Sequence, residues 1–185
     1  MDSHIILVHC LTLIHRFTVA IFTLPGIADW LQIAALLLGF GFIALPLGFR
    51  SGFLQLDPQN LQVSVKVVLI TLFAPAIVEE LAFRVLLLPH PTEHPSLLEQ
   101  WLWGSFGILL FVAYHPLNAW IFYPAGRKTF VNPIFLGLAA LLGIICTLSY
   151  WQSGSLWTPM LIHWISVAVW LLVLGGYRQL QNDHS

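Results

Sequence analysis

The chain has 185 residues, 58% of them hydrophobic and 8% charged, with a mean hydropathy of +0.86; a soluble domain carries about 25% charged residues, so this is the composition of an integral membrane protein. Seven Lys and Arg against eight Asp and Glu give a net charge of -1 with no basic face, which excludes nucleic-acid binding. At about 20 residues per spanning helix there is room for about five to seven spans and no separate soluble domain, and Cys10 and Cys146 stand singly in apolar runs, as small hydrophobes rather than parts of a disulfide framework or zinc knuckle.

In chain order, the apolar runs predict helices over about 5–24, 30–49, 61–88, 98–115, 133–151 and 156–176. Unbroken apolar length, rather than alternation with period 2, favours helices over a barrel. The expected fold is an all-α polytopic transmembrane bundle in one membrane domain, 1–185, with two N-terminal spans in 1–60 that carry no motif and a motif-bearing core over 61–176. No Lys or Arg precedes the first run, so it is expected to be a retained span rather than a cleaved signal. His4, His9 and His15 on that segment read as interfacial or packing residues. Six spans put Arg50, Arg127, Lys128 and Arg178 on one side and Asp29 and Glu93 on the other, which places both termini in the cytoplasm of a cell membrane by the positive-inside rule. Trp101, Trp103, Trp151 and Trp157 fall at span ends as an aromatic belt, and Trp120 and Tyr123 extend the fourth helix past Pro116. Gly48 and Gly52 read as incidental rather than as a close helix contact.

The third run is the anomaly, because it holds Glu79, Glu80 and Arg84. A charge at the centre of a spanning helix costs roughly 2.5–3.5 kcal/mol on insertion scales, so three of them require a compensating arrangement. Glu80 and Arg84, four apart, share a helix face and can pair, whereas Glu79 is turned by about 100° and points elsewhere. Two uses are open: a buried ionic clamp between helices, or a site with one structural and one available carboxylate. His115 lies near the end of the fourth span, where an interfacial histidine is ordinary; His163, deep in the last span, either pairs with a neighbouring helix or works in a polar cavity. Together the three residues are a catalytic inventory, since a desolvated carboxylate is an effective base for water and imidazoles can bind the water and a developing oxyanion.

In this order, Glu79-Glu80-x-x-x-Arg84, Phe111-x-x-x-His115 and His163 resemble the CPBP family of CAAX proteases and bacteriocin-processing enzymes, also called the Abi family, over about residues 79–167. The resemblance implies a glutamic-type intramembrane endopeptidase that acts without a cofactor on a membrane-associated, CAAX-like or bacteriocin-like peptide. Glu79 and His115 would activate water, His163 would stabilise the oxyanion, and Glu80 and Arg84 would orient and support. The chain departs from the pattern at Val167, where the family has Asn or Asp four residues after the histidine; Ser166 is a possible substitute donor. This departure leaves open a catalytically impaired relative that serves as a binding or immunity factor. Glu79, Glu80, His115 and His163 are all chemically able to ligate zinc, but with no ligand pair such as His-Glu-x-x-His on one helix a metal-free site is expected.

Competing motifs fall away. His90-x-x-Glu93-His94 fits an inverted zinc-protease signature, but Pro89, Pro91 and Pro95 exclude the regular helix it requires, so a solvated turn is expected. Ser153-Gly154-Ser155 lacks the Gly-x-Ser-Gly of a serine intramembrane protease, and Asp2, Asp29, Asp57 and Asp183 fall in predicted loops or termini, which removes an aspartyl dyad. A proton or ion pathway built on Glu79 and Arg84 would need further polar residues, of which the fifth span offers few.

Overall fold

The computed structural model describes residues 3–181, so Asp2 and Asp183 lie outside the described residues. Every regular element among the described residues is helical: α1 (Ser3–Phe22), α2 (Ile27–Arg50), α3 (Leu61–Thr71), α4 (Val78–Glu80), α5 (Leu97–Ile121), α6 (Arg127–Phe130), α7 (Pro133–Ser153), α8 (Trp157–Val173) and α9 (Gly176–Gln181). Five stretches are long and apolar enough to cross a membrane, and α8 is a shorter apolar helix of 17 residues. The chain is an integral, multi-pass membrane protein.

The helix starts follow from local chemistry. Asn60 caps α3 by accepting from Val63 N at 3.0 Å, Ser96 and Glu99 form a reciprocal capping box on α5, and Asn132 accepts from Ile134 N at 2.8 Å ahead of α7, with Pro133 at the first helical position. Asp29, expected in a loop, instead sits in the first turn of α2 and accepts from Gly26 N at 2.8 Å. Helix α5 runs past Pro116 to Ile121, six residues beyond the apolar run, so it takes in Trp120 but stops short of Tyr123; Pro116 removes one backbone donor, a loss that membrane helices tolerate when neighbouring groups satisfy the freed carbonyl.

The third run is not one helix. At Ala74, ahead of Pro75, the backbone leaves the helical region (φ -130°, ψ 110°), and the chain re-enters helix through the short α4 and a stretch of wider turns at Leu81–Leu86. The break offsets Glu79 and Glu80 from the axis of α3.

Helix α7 is the centre of the bundle and packs against α5, α8 and α2. Gly104 on α5 lets Trp151 of α7 lie against its backbone, and Trp151 also meets Trp101 edge-on at 6.1 Å. The first turns of α5 therefore reach beyond the end of α7, which brings His115 nearer to the level of His163 than equal span starts would allow. After α7, Gly154 adopts φ +63° and its N–H closes onto Tyr150 O at 2.8 Å, so the turn into α8 is tight. Helix α1 is peripheral and is held at its end by three bonds: Leu156 N to Ala20 O (2.9 Å), Ser155 Oγ to Thr23 O (2.7 Å) and Trp157 Nε1 to Ile21 O (2.8 Å). Trp151 and Trp157 thus pack between helices as well as marking a span end. At the opposite end, residues 55–59 run alongside the end of α8 and donate to the carbonyls of Leu172, Val173 and Leu174, which otherwise have no helical partner. Gly48 serves this turn: a Cβ there would meet the Leu54 side chain at 2.4 Å, and Gly52 takes φ +73°.

The 90–94 segment is a turn, as expected, but it is not simply solvated. His90 is 2% exposed; its Nε2 bonds the Gly154 carbonyl at 2.9 Å and its Nδ1 meets Thr92 Oγ1 at 2.8 Å. Glu93 takes both the Nε and Nη2 of Arg16, at 2.6 and 2.7 Å, latching α1 to the turn. The Ser153 hydroxyl donates to Ser149 O and that of Ser155 to Thr23 O, so both are structural.

Candidate active site

The i,i+4 spacing brings Arg84 Nη1 to Glu80 Oε1 at 3.0 Å, with both side chains 0–1% exposed. The second guanidinium arm, Nη2, donates to the Gly143 carbonyl at 3.2 Å, and the Arg84 plane lies 4.5 Å over the Phe111 ring. Gly143 is what allows this approach, since a Cβ there would stand 3.3 Å from Phe111 and 3.4 Å from Arg84 Nη2. The same Glu80 oxygen accepts from His163 Nδ1 at 2.6 Å. A carboxylate cannot donate here when ionised, so the Nδ1 nitrogen of His163 carries the proton and Nε2 is left to face outward. Glu80 is therefore the hub of the cluster, joining α4, α7 through Arg84, and α8. Sequence spacing foresaw its bond to Arg84 but not its bond to His163, 83 positions away.

Glu79 behaves differently. Its Oε2, like Glu80 Oε2, has no hydrogen-bond partner among the described residues, and it lies 3.8 Å from His163 Nε2, beyond hydrogen-bond range, so that Glu79 lacks the Arg84 and His163 bonds that hold Glu80 Oε1. His115 donates its Nδ1–H to Phe111 O at 2.8 Å, one turn back on α5, which again frees Nε2. The rings of His115 and His163 both stand edge-on to Phe111, at 4.9 and 5.8 Å between centroids. Phe130 and Phe135 close the other side of His115, at 5.8 and 5.2 Å.

Glu79, His115 and His163 all line one cavity of about 770 Å³. Helix α2 supplies part of its wall through Leu37, Phe40, Gly41 and Ala44, so one of the two spans without a motif shapes the site. From the carboxylate the cavity extends past Phe53, Tyr123 and Leu174 toward the end of the bundle that carries Arg50, α6 and α9. Ser166 and Val167 also line it, but the Ser166 hydroxyl donates to Ile162 O at 2.8 Å and its proton is not aimed at the cavity. Thr71, Tyr114 and Asn118 are cavity-lining polar residues that motif reading passed over; for Asn118 the signal was its i,i+3 spacing from His115, which puts the two on one face.

Among the described residues no three His, Cys, Asp or Glu side chains are grouped to hold a metal ion; Glu80 Oε1 is taken by Arg84 and His163, while Nε2 of both histidines stays open toward the cavity.

A multi-pass helical bundle with a carboxylate and two imidazole Nε2 atoms on one cavity has the make-up of an intramembrane hydrolase. The family model for type II CAAX prenyl endopeptidase Rce1-like proteins matches residues 61–169, which run from α3 into α8 and contain all of these groups. The chain belongs to this family of CAAX-type membrane endopeptidases. No curated protein and no solved structure matches it.

Proposed function

We propose that the chain is a metal-independent intramembrane endopeptidase that hydrolyses one peptide bond of a membrane-associated peptide whose apolar or prenylated part occupies the cavity. The observation that carries this reading is the division between the two glutamates: Glu80 is fully buried with its Oε1 shared by Arg84 and His163, whereas Glu79 has neither of these partners within hydrogen-bond distance and lines the cavity shared with His115 and His163. In the proposed reaction a water between Glu79 and Nε2 of His115 gives its proton to the Glu79 carboxylate, and the resulting hydroxide adds to the scissile carbonyl carbon. His163, its Nδ1–H held by Glu80, donates from Nε2 in its doubly protonated form to the oxyanion. The C–N bond then breaks as the proton on Glu79 passes to the leaving amine. One water is consumed, and a carboxylic acid and an amine are released, the acid losing its proton to solvent or to the amine.

Access is from the end of the bundle that holds Arg50, Arg127, Lys128 and Arg178, proposed as the cytoplasmic face by the positive-inside rule. An apolar cavity reaching that face suits a peptide anchored in the cytoplasmic leaflet. Val167 on the cavity wall favours a second reading, an impaired relative that binds such a peptide without turnover. Purified protein in detergent, given a farnesylated CAAX peptide and its unfarnesylated twin, separates the two by mass spectrometry. Hydrolysis at one bond with the mass of one added water, faster for the farnesylated peptide, is expected. Binding without any cleaved product would favour the impaired relative.

A further inference from the structure

The families of side chains around the cavity leave one donor position unexplained. Val167 lines the cavity one turn beyond His163 and has no hydrogen to donate. The hydroxyls nearest to that task are used elsewhere, Ser166 on Ile162 O and Thr71 on Val67 O, each at 2.8 Å. Helices α5 and α8 run in the same direction across the bundle, and His115 and His163 stand at neighbouring levels because both rings contact Phe111. Three residues on from His115 is a rise of about 4.5 Å, and four on from His163 about 6 Å, so Asn118 and Val167 face the same stretch of cavity from two walls. Both line it. Asn118 is half-buried, and its side-chain amide makes no hydrogen bond to any described residue. Its backbone is fixed, because its carbonyl accepts from both Phe122 N (2.9 Å) and Tyr123 N (2.8 Å) at the close of α5.

We infer that the Asn118 side-chain amide is the donor to the scissile carbonyl oxygen, supplied from α5 in place of the polar residue that α8 lacks at 167. The inference rests on the hydrolytic reading of the site. In the ground state the amide orients the substrate carbonyl beside Glu79; as the oxygen gains charge, the same N–H bond shortens and strengthens, so its effect falls on turnover more than on binding. His163 and Asn118 then hold the oxyanion from opposite walls, which makes Val167 a relocation of the donor rather than a loss of it.

The test uses the full-length protein in detergent with a quenched fluorescent farnesylated CAAX peptide, comparing wild type, Glu79→Gln, Asn118→Ala, Tyr114→Phe and the double variant Asn118→Ala/Val167→Asn, each with its melting temperature. Asn118→Ala is expected to lower kcat about 100- to 1,000-fold with KM little changed, and Val167→Asn is expected to restore much of that loss because it returns an amide to the same level. A structural role for Asn118 would not be rescued from the opposite wall. Wild-type kcat in Asn118→Ala, alongside an inactive Glu79→Gln, overturns the donor assignment and leaves the base intact. A kcat loss in Tyr114→Phe with none in Asn118→Ala moves the donor to the phenol and also overturns it. Full activity in Glu79→Gln overturns the hydrolytic reading instead, and a wild type that never cleaves the peptide contradicts both.

Discussion

Replacing Glu80 with Gln tests how the buried charges are balanced. In the folded chain Glu80 Oε1 accepts from Arg84 Nη1 at 3.0 Å and from His163 Nδ1 at 2.6 Å, and both basic side chains are 1–2% exposed. Gln keeps the volume and one acceptor but removes the negative charge, so the Arg84 guanidinium stays buried without its counter-charge at 80, held by neutral contacts that include the Gly143 carbonyl and the Phe111 face. Breaking one partner out of a buried pair costs about 3–5 kcal/mol, because the remaining charge is uncompensated. Glu79→Gln should differ sharply. Glu79 Oε2 has no hydrogen-bond partner among the described residues, so neutralising it removes a buried charge without orphaning another, and stability should be within about 1 kcal/mol of wild type. Unfolding free energy from titration with a denaturing detergent, measured on both variants, separates these outcomes. Equal stability of the two variants would refute the assignment of Glu80 as the structural hub.

Gly143→Val should place methyl groups against Phe111 and Arg84, where even a Cβ stands at 3.3–3.4 Å; a loss of about 1–3 kcal/mol is expected from overpacking, with reduced activity, and an unchanged melting curve would contradict the close approach. Arg16→Gln breaks the bidentate contact to Glu93, whose partners are 15% and 27% exposed; for so accessible a pair the stability loss is about 1 kcal/mol or less. Limited proteolysis should then cut more readily around α1, and an unchanged cleavage pattern would show that the latch is dispensable. Incubation with a strong zinc chelator should leave activity intact, and inactivation reversed by added zinc would establish a metal mechanism.

The sequence carried those parts of the structure that depend on spacing within one helix. Hydropathy located the six apolar runs, and the i,i+4 rule paired Glu80 with Arg84 while turning Glu79 away. It did not carry partners separated by long stretches of chain. Nothing local to His163 indicates that its Nδ1 reaches Glu80, or that Arg16 reaches Glu93 across 77 positions. Hydropathy also reports whether a residue tolerates lipid, not whether its helix is continuous; the local signal for the break at Ala74 is Pro75, which disfavours helical backbone at the residue before it. His90 was read as solvated because its neighbours are prolines and polar residues; the carbonyl that buries it, at Gly154, lies in a different loop. Asn118 carries little signal of its own, since a single amide after a proline resembles the end of a helix, and the cavity gives it a direction.

The central claim is that Glu79, and not its neighbour, is the base that activates water. Initial cleavage rates of wild type and Glu79→Gln on the same farnesylated peptide, at matched folded concentration, test it most directly. Loss of a correctly positioned general base typically costs about 100- to 10,000-fold in rate, so Glu79→Gln should fall at least this far while retaining its fold. A folded Glu79→Gln protein that cleaves within a few-fold of wild type would contradict the account.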